Sequence, residues 1–203
     1  MKQKNSEIIE SSGEHIWERR YQNNQTGWDR GTVSPALEQW LESGQLQPGD
    51  VLVPGCGHGH EIAALIRAGC EVTAVDIAPT PVQRLQERLQ AEGLKAEVIQ
   101  ADLLQWEPNC AFDAVYEQTC LCALDPAVWT EYAARLWRWL KTDGVLFALF
   151  MQTGREGGPP YHCELADMRS LFPQEAWRWL DTEPLRVPHR SGLHELGFVM
   201  RKK

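Results

Sequence analysis

The chain has 203 residues and a mass of 23.1 kDa, a length suited to one domain around one substantial core. Its formal net charge of −8 leaves no broad basic face for phosphates, so neither a nucleic acid nor a membrane is expected as a partner. The longest nearly unbroken apolar stretch, "VLFALFM", falls far short of the ~18 residues that a membrane span needs.

The polar opening "MKQKNSEIIESSGEH" lacks the apolar centre of a secretory signal, so the expected compartment is the cytoplasm. The six cysteines then read as reduced thiols rather than a disulfide framework. Residues 1–13 read as a disordered tail. "HIWERRYQ" sets Trp17 and Tyr21 four apart, on one face of a helix. After the loop "NNQTGWDRGTVSP", the segment "PALEQWLESG" aligns Leu37, Trp40 and Leu41 as a short amphipathic helix stopped at Gly44. "DVLVPG" is a buried strand entering a glycine turn. "HEIAALIRAG" is a helix with Ile62, Leu65 and Ile66 on its inner stripe, and "EVTAVD" completes a βαβ unit.

The alternation continues. "PVQRLQERLQAEG" is helical, "AEVIQAD" and "FDAVYEQ" are strands, and "DPAVWTEYAARLWRWLKTDG" reads as one helix with Asp125 as N-cap and Pro126 in its first turn. "GVLFALFM", apolar throughout, is a central strand. The remainder, "ELADMRSLFP", "AWRWLDTEPL" and "HELGFVMRK", reads as one helix and two closing strands. Such an order predicts an α/β fold, a doubly wound and mostly parallel sheet with helices on both faces, built from residues 1–203 as one domain.

In a sheet of this kind ligands collect beyond the carboxyl ends of the strands. There stand Gly55, Gly57 and Gly59, then Asp76, Asp102 and Glu117. Glycines let the backbone approach a ligand, and an acidic residue about 20 positions on can accept hydrogen bonds from ribose hydroxyls. The dinucleotide fingerprint places its third glycine five positions after the first, where this chain has His60. An NAD-linked oxidoreductase is therefore the weaker alternative, and a plain turn between strand and helix is the structural one. "CGHGH" also offers Cys56, His58 and His60, but neighbours on one loop are not expected to converge on a metal, so none is expected. Cys120 and Cys122 of "CLC" suit either a soft metalloid or, as expected here, apolar packing.

The glycine loop "VPGCGHGHE" resembles the first motif of class I S-adenosylmethionine methyltransferases, although Pro54 stands where an acidic residue is common. From about Trp17 to Gly192 the chain more specifically resembles the thiopurine S-methyltransferase superfamily and, within it, the halide and thiol methyltransferases. The matching segments are "WERRYQNNQTGWDRG", "VPGCGHGHE", "FDAVYEQTCLCALDP", "KTDGVLFALF" and "GGPPYHCELADM". The resemblance implies a seven-stranded Rossmann-like sheet with residues 14–44 as an N-terminal helical lid, S-adenosylmethionine as cofactor, and a small methyl acceptor; nothing in the sequence pattern demands an oligomer, so a monomer is expected.

Carried over by position, Trp17, Tyr21 and Trp28 would close over the cofactor, and Gly55, Gly57 and Gly59 would line it. Asp76 with Ile77 would hold its ribose, and Asp102 with Leu103 its adenine. Tyr21 replaces a tryptophan of the plant-type relatives. Aromatic faces attract a sulfonium cation, while core packing is the alternative for these rings, and a turn aspartate for Asp102. Glu117 falls near the methionyl group, where Asp is more usual. Gln118 takes a position held by Arg in thiopurine-type and Tyr in halide-type members. Tyr161 and His162 follow the rigid "GGPPY" turn bordering the acceptor, where a surface loop is the alternative. Asp29, Tyr161 and His162 are the candidates for a base. The expected reaction is methyl transfer to a thiol, hydrosulfide, thiocyanate, halide or thiopurine-like sulfur, with a metalloid acceptor or a non-catalytic cofactor sensor as alternatives.

Overall fold

A twisted sheet runs through the whole computed structural model, which describes residues 15–180, 183–189 and 192–203. The tail expected at residues 1–13 lies outside them. β1 (Asp50–Pro54), β2 (Glu71–Asp76), β3 (Glu97–Gln100), β4 (Phe112–Gln118) and β5 (Leu140–Gln152) pair in parallel in the order β3-β2-β1-β4-β5. β8 (His194–Lys202) runs antiparallel beside β5. Along its outer edge lie two short strands, β6 (Trp177–Trp179) against Met200–Lys202 and β7 (Leu185–Pro188) against His194–Gly197. Eight segments thus fill seven positions, and the closing strands number three rather than the two expected. Pro184, which has no N–H to donate to a ladder, falls in the gap between β6 and β7.

Helices cover both faces. α2 (Pro35–Glu42), α3 (His60–Arg67) and α4 (Pro79–Ala91) bring Leu37, Trp40, Ile62, Leu65, Leu85 and Leu89 to one buried cluster. α5 (Trp129–Trp139) and α6 (Leu165–Leu171) bring Tyr132, Leu136, Trp139 and Met168 to the other. Alternate residues of β5 feed opposite clusters, Phe147 and Leu149 one way, Leu146, Ala148 and Phe150 the other. That is why this strand is apolar at every position from Val145 to Met151. Each large side chain so buried contributes roughly 1.5–3 kcal/mol.

The helix expected from Asp125 to Gly144 is shorter than its sequence pattern. Asp125 does cap, accepting from the Ala127 amide at 2.8 Å, but it caps a short 3-10 turn over Pro126–Val128. The α-helix ends at Trp139 and the chain turns at once into β5, where Leu140 pairs with Phe112 and a bulge follows. Lys141, hydrogen-bonded to Asp50 at 2.8 Å and Asp113 at 2.9 Å, fastens this segment to the sheet. Long-range pairing overrides the local helical pattern here.

Strand order reverses between β1 and β4, so the crevice of the fold opens beyond their carboxyl ends. α1 (Ile16–Gln22) sits over it. Its N-cap is His15, whose Nδ1 accepts from the Trp17 amide. Glu18, buried in this helix, accepts from both the amide and the hydroxyl of Thr80 at the start of α4, which fixes the lid helix to the body. Among the described residues no helix is long and apolar enough to cross a membrane.

Candidate active site

Gly55, Gly57 and Gly59 have φ of +60°, +50° and +63°, a region costly to any residue with a Cβ. At Gly57 an added Cβ would stand 2.6 Å from the Tyr21 hydroxyl, and at Gly55 it would meet Cys120 Sγ at 2.8 Å. The loop is thus shaped by conformation and by close approach from lid and sheet. Asp76, at the end of β2, accepts from the Gly57 amide at 2.8 Å and the Ala78 amide at 2.9 Å, so its carboxylate holds the loop itself. Burial raises its pKa, with the amides opposing. Each oxygen keeps a lone pair for a ribose hydroxyl. Ile77 stands half-buried beside it, and Leu103 is buried in the core.

Asp102 is more committed than its expected adenine contact implied. Its two oxygens accept from the Leu104 amide at 2.9 Å and from Gln105 Nε2 at 2.8 Å, closing the turn after β3. The turn-aspartate role is therefore present whether or not adenine also meets this carboxylate.

The three predicted aromatic residues come together. Trp17 and Trp28 meet edge to face with centroids 5.4 Å apart, and Tyr21 and Trp28 at 5.6 Å. A cation already lies on them, since the Arg20 guanidinium is 5.0 Å from the Trp17 ring and 6.0 Å from the Trp28 ring. Tyr21 is buried, and burial with the nearby Asp76 charge pushes its hydroxyl pKa up.

Asp29 is held at three points. It accepts from the Gly31 amide at 2.8 Å and pairs with His58 Nδ1 at 2.7 Å and His60 Nε2 at 2.8 Å. Burial works to raise its pKa, but the Gly31 amide and the two histidines outweigh it and hold the carboxyl low. Low basicity and full engagement make Asp29 a latch between lid loop and glycine loop rather than a free base. Contrary to expectation, His58 and His60 do converge, on Asp29 and without Cys56. Their ligand atoms lie within 4.8 Å of one another, the spacing a metal ion would need. Cys120 and Cys122 are buried free thiols packed in the core.

Glu117, at the end of β4, is 1% exposed. Oε1 accepts from the Leu121 amide at 2.6 Å, while Oε2 is buried with no partner. Burial pushes its pKa up to about 8, opposed by the Leu121 amide and aided by the charge of Glu195. A buried carboxyl with one orphan oxygen suits the ammonium of a bound amino acid moiety. With the glycine loop, Asp76 and the aromatic cluster, these residues fit S-adenosylmethionine.

On the far side of Glu117, Gln118 accepts from the Tyr116 hydroxyl at 2.8 Å and donates to Glu195 Oε2 at 3.0 Å. Tyr161 donates its amide to the Cys122 carbonyl at 2.7 Å and packs beside the core. His162 Nδ1 accepts from the Thr153 amide at 3.0 Å, and its Nε2 is 3.4 Å from Glu164, so this ring braces the loop after β5. Sequence reasoning missed Glu18, Arg30, His189 and Glu195. Glu195 carried a signal: it occupies an inward position of β8, where the strand's alternation calls for an apolar residue.

A family model for thiopurine S-methyltransferase matches residues 12–190. "Probable thiol methyltransferase 2" of Arabidopsis thaliana is 33% identical over 187 residues, covering 89% of this chain and 82% of that protein. "Thiocyanate methyltransferase 1" of Brassica oleracea is 28% identical, covering 94% and 85%. Among solved structures, the 1,6-didemethyltoxoflavin-N1-methyltransferase of Burkholderia thailandensis with bound S-adenosylhomocysteine superimposes with a TM-score of 0.76 at 22% identity, over 98% of this chain and 89% of that one. That likeness establishes the fold, including the seven-position sheet expected from sequence. The oxidoreductase and sensor alternatives fall away, because the chain belongs to the thiopurine S-methyltransferase family and is an S-adenosylmethionine-dependent methyltransferase.

Proposed function

We propose that the protein methylates a small, soft nucleophile, a thiol, hydrosulfide or thiopurine-like sulfur first and a halide or thiocyanate ion second. The observation that carries this reading is Glu117 Oε2, a buried carboxyl oxygen without a partner at the switch point of the sheet. It supports a cofactor seat in which Glu117 would hold the ammonium of the methionyl moiety. The relatives named for thiol and thiocyanate methylation favour a small acceptor.

When bound, S-adenosylmethionine supplies a methyl group on a positively charged sulfur, and the acceptor lone pair forms the new bond as the old C–S electron pair returns to the donor sulfur. The chain's own residues orient and dry the site. Glu18 on Thr80 and Asp29 on His58 and His60 hold the lid down, and Tyr21 with Trp28 closes the loop side. Holding donor and acceptor in line at ~3–3.5 Å is a large share of what such a transfer requires. A neutral thiol must first lose its proton, since the thiolate is the nucleophile. The reading includes a monomer in the cytoplasm, in keeping with the acidic charge.

The test is transfer of labelled methyl from S-adenosylmethionine to hydrosulfide, alkyl and aryl thiols, thiocyanate, iodide, a thiopurine, and tellurite with reductant. Label on sulfur acceptors supports the reading. Cofactor binding with no transfer to sulfur or halide overturns it.

A further inference from the structure

We propose that Arg30, Gln118, His189 and Glu195 form the acceptor subsite, and that its acceptor is a small organic thiol carrying an anionic group and a hydrogen-bond donor, rather than a bare halide or pseudohalide. This rests on the methyl-transfer reading above. Three buried atoms lack hydrogen-bond partners here, Arg30 Nη1, His189 Nε2 and Glu195 Oε1, and the first and last are of opposite character. Arg30 Nη2 donates to the Pro188 carbonyl at 2.9 Å, but its Nη1 is buried and unpaired. Glu195 is fully buried. Its Oε2 accepts from Gln118 Nε2 at 3.0 Å and lies 2.9 Å from His189 Nε2, an ion-pair distance without hydrogen-bond alignment, while Oε1 is unpaired.

The orientation of Gln118 is determined by its neighbours, because the Tyr116 hydroxyl donates to its oxygen and Glu195 accepts from its nitrogen. Glu195 is therefore one side chain from Glu117, and its charge is felt there. The glycine loop, Asp76 and Asp102 all lie toward β1, β2 and β3. Arg30, bonded to the Pro188 carbonyl, and Glu195, paired with Val187, both lie at β7 and β8, on the side left for the acceptor.

An unpaired guanidinium N–H calls for an acceptor, ideally an anion. An unpaired carboxylate oxygen calls for a donor. One ligand bearing both satisfies both, as buried polar groups require. A bare iodide would answer Arg30 but leave Glu195 unpaired beside a second negative charge. Sites built to hydrogen-bond a polar group discriminate strongly against ligands that lack it.

The experiment compares cysteine, thioglycolate, cysteamine, hydrosulfide and iodide as methyl acceptors for the wild type, Glu195→Gln and Arg30→Gln, with S-adenosylhomocysteine affinity reporting that each variant is folded. The wild type is expected to favour cysteine over iodide at least tenfold in kcat/KM. Glu195→Gln should lower kcat/KM for cysteine and cysteamine, through KM, at least tenfold more than for hydrosulfide. Arg30→Gln should do the same for cysteine and thioglycolate but not cysteamine. A wild-type preference for iodide, or equal losses for every acceptor, overturns the subsite. Equilibrium binding of cysteine to the S-adenosylhomocysteine complex separates the two failures: selective weakening by the variants without turnover sinks the reaction and keeps the subsite, whereas equal binding by all three proteins sinks the subsite. If Glu195→Gln does not fold, Arg30→Gln on the lid loop carries the test.

Discussion

Replacing Glu117 with Gln removes a titrating group without changing its shape, and the structure says how much should change. The folded carboxyl titrates at about 8 against an ordinary value of 4.5. Between those values the native protein holds a proton that the unfolded chain has released, so stability falls as pH rises through this window. At about 1.36 kcal/mol per unit the full loss is on the order of 5 kcal/mol above pH 8, of which about 3 kcal/mol is present at pH 7. Urea unfolding from pH 5 to 9 should show the wild type losing stability over this range while Glu117→Gln is flatter by several kcal/mol. Parallel curves would refute the reasoning, because they would mean that Glu117 titrates alike in both states.

The same group ties cofactor binding to pH. A ligand ammonium beside Oε2 favours the carboxylate, so binding at pH 7 should release about 0.9 proton, the fraction that a group of pKa about 8 still carries there. Affinity for S-adenosylhomocysteine should rise roughly tenfold per unit below pH 8 and level off above it. Calorimetry in buffers of different ionisation enthalpy measures the release directly. The Gln variant should show none and bind at least tenfold more weakly, the usual scale for a lost charged hydrogen bond of ~1.5–3 kcal/mol.

Two further outcomes are expected. Gly57→Ala combines a φ of +50° with a clash at 2.6 Å on the Tyr21 hydroxyl, so it should cost about 1–2 kcal/mol from the backbone alone. Adding Tyr21→Phe should recover the clash but not the backbone part, because the next Tyr21 atom is 3.8 Å away; a full rescue or none in melting experiments would contradict this. Cys110 is exposed while Cys56, Cys70, Cys120, Cys122 and Cys163 are buried, so Ellman's reagent should titrate one thiol promptly in the native protein and none in Cys110→Ser. A second fast thiol would show that a buried cysteine is accessible.

The glycine loop was legible because it is a local device: three glycines at alternate positions demand left-handed backbone, and the acid at the end of the next strand completes the pattern. Trp17, Tyr21 and Trp28 could be grouped from helical spacing and motif position. The latch of His58 and His60 on Asp29 was not legible, since the three ligand atoms meet only after the lid loop folds over β1. Nor was the end of the fifth helix, where Lys141 and the Phe112–Leu140 pairing draw a helical sequence into a strand.

Periodicity, turn residues and glycine placement act within a few residues, so the sequence by itself determined the α/β alternation and the parallel sheet, and it grouped the candidate cofactor residues. The proposed acceptor end depends on tertiary structure. Arg30, Gln118 and Glu195 are separated by 88 and 77 positions along the chain, and each taken alone is an unremarkable polar residue. Only burial, which strips water from the Arg30 and Glu195 atoms and leaves them without partners, turns them into a site.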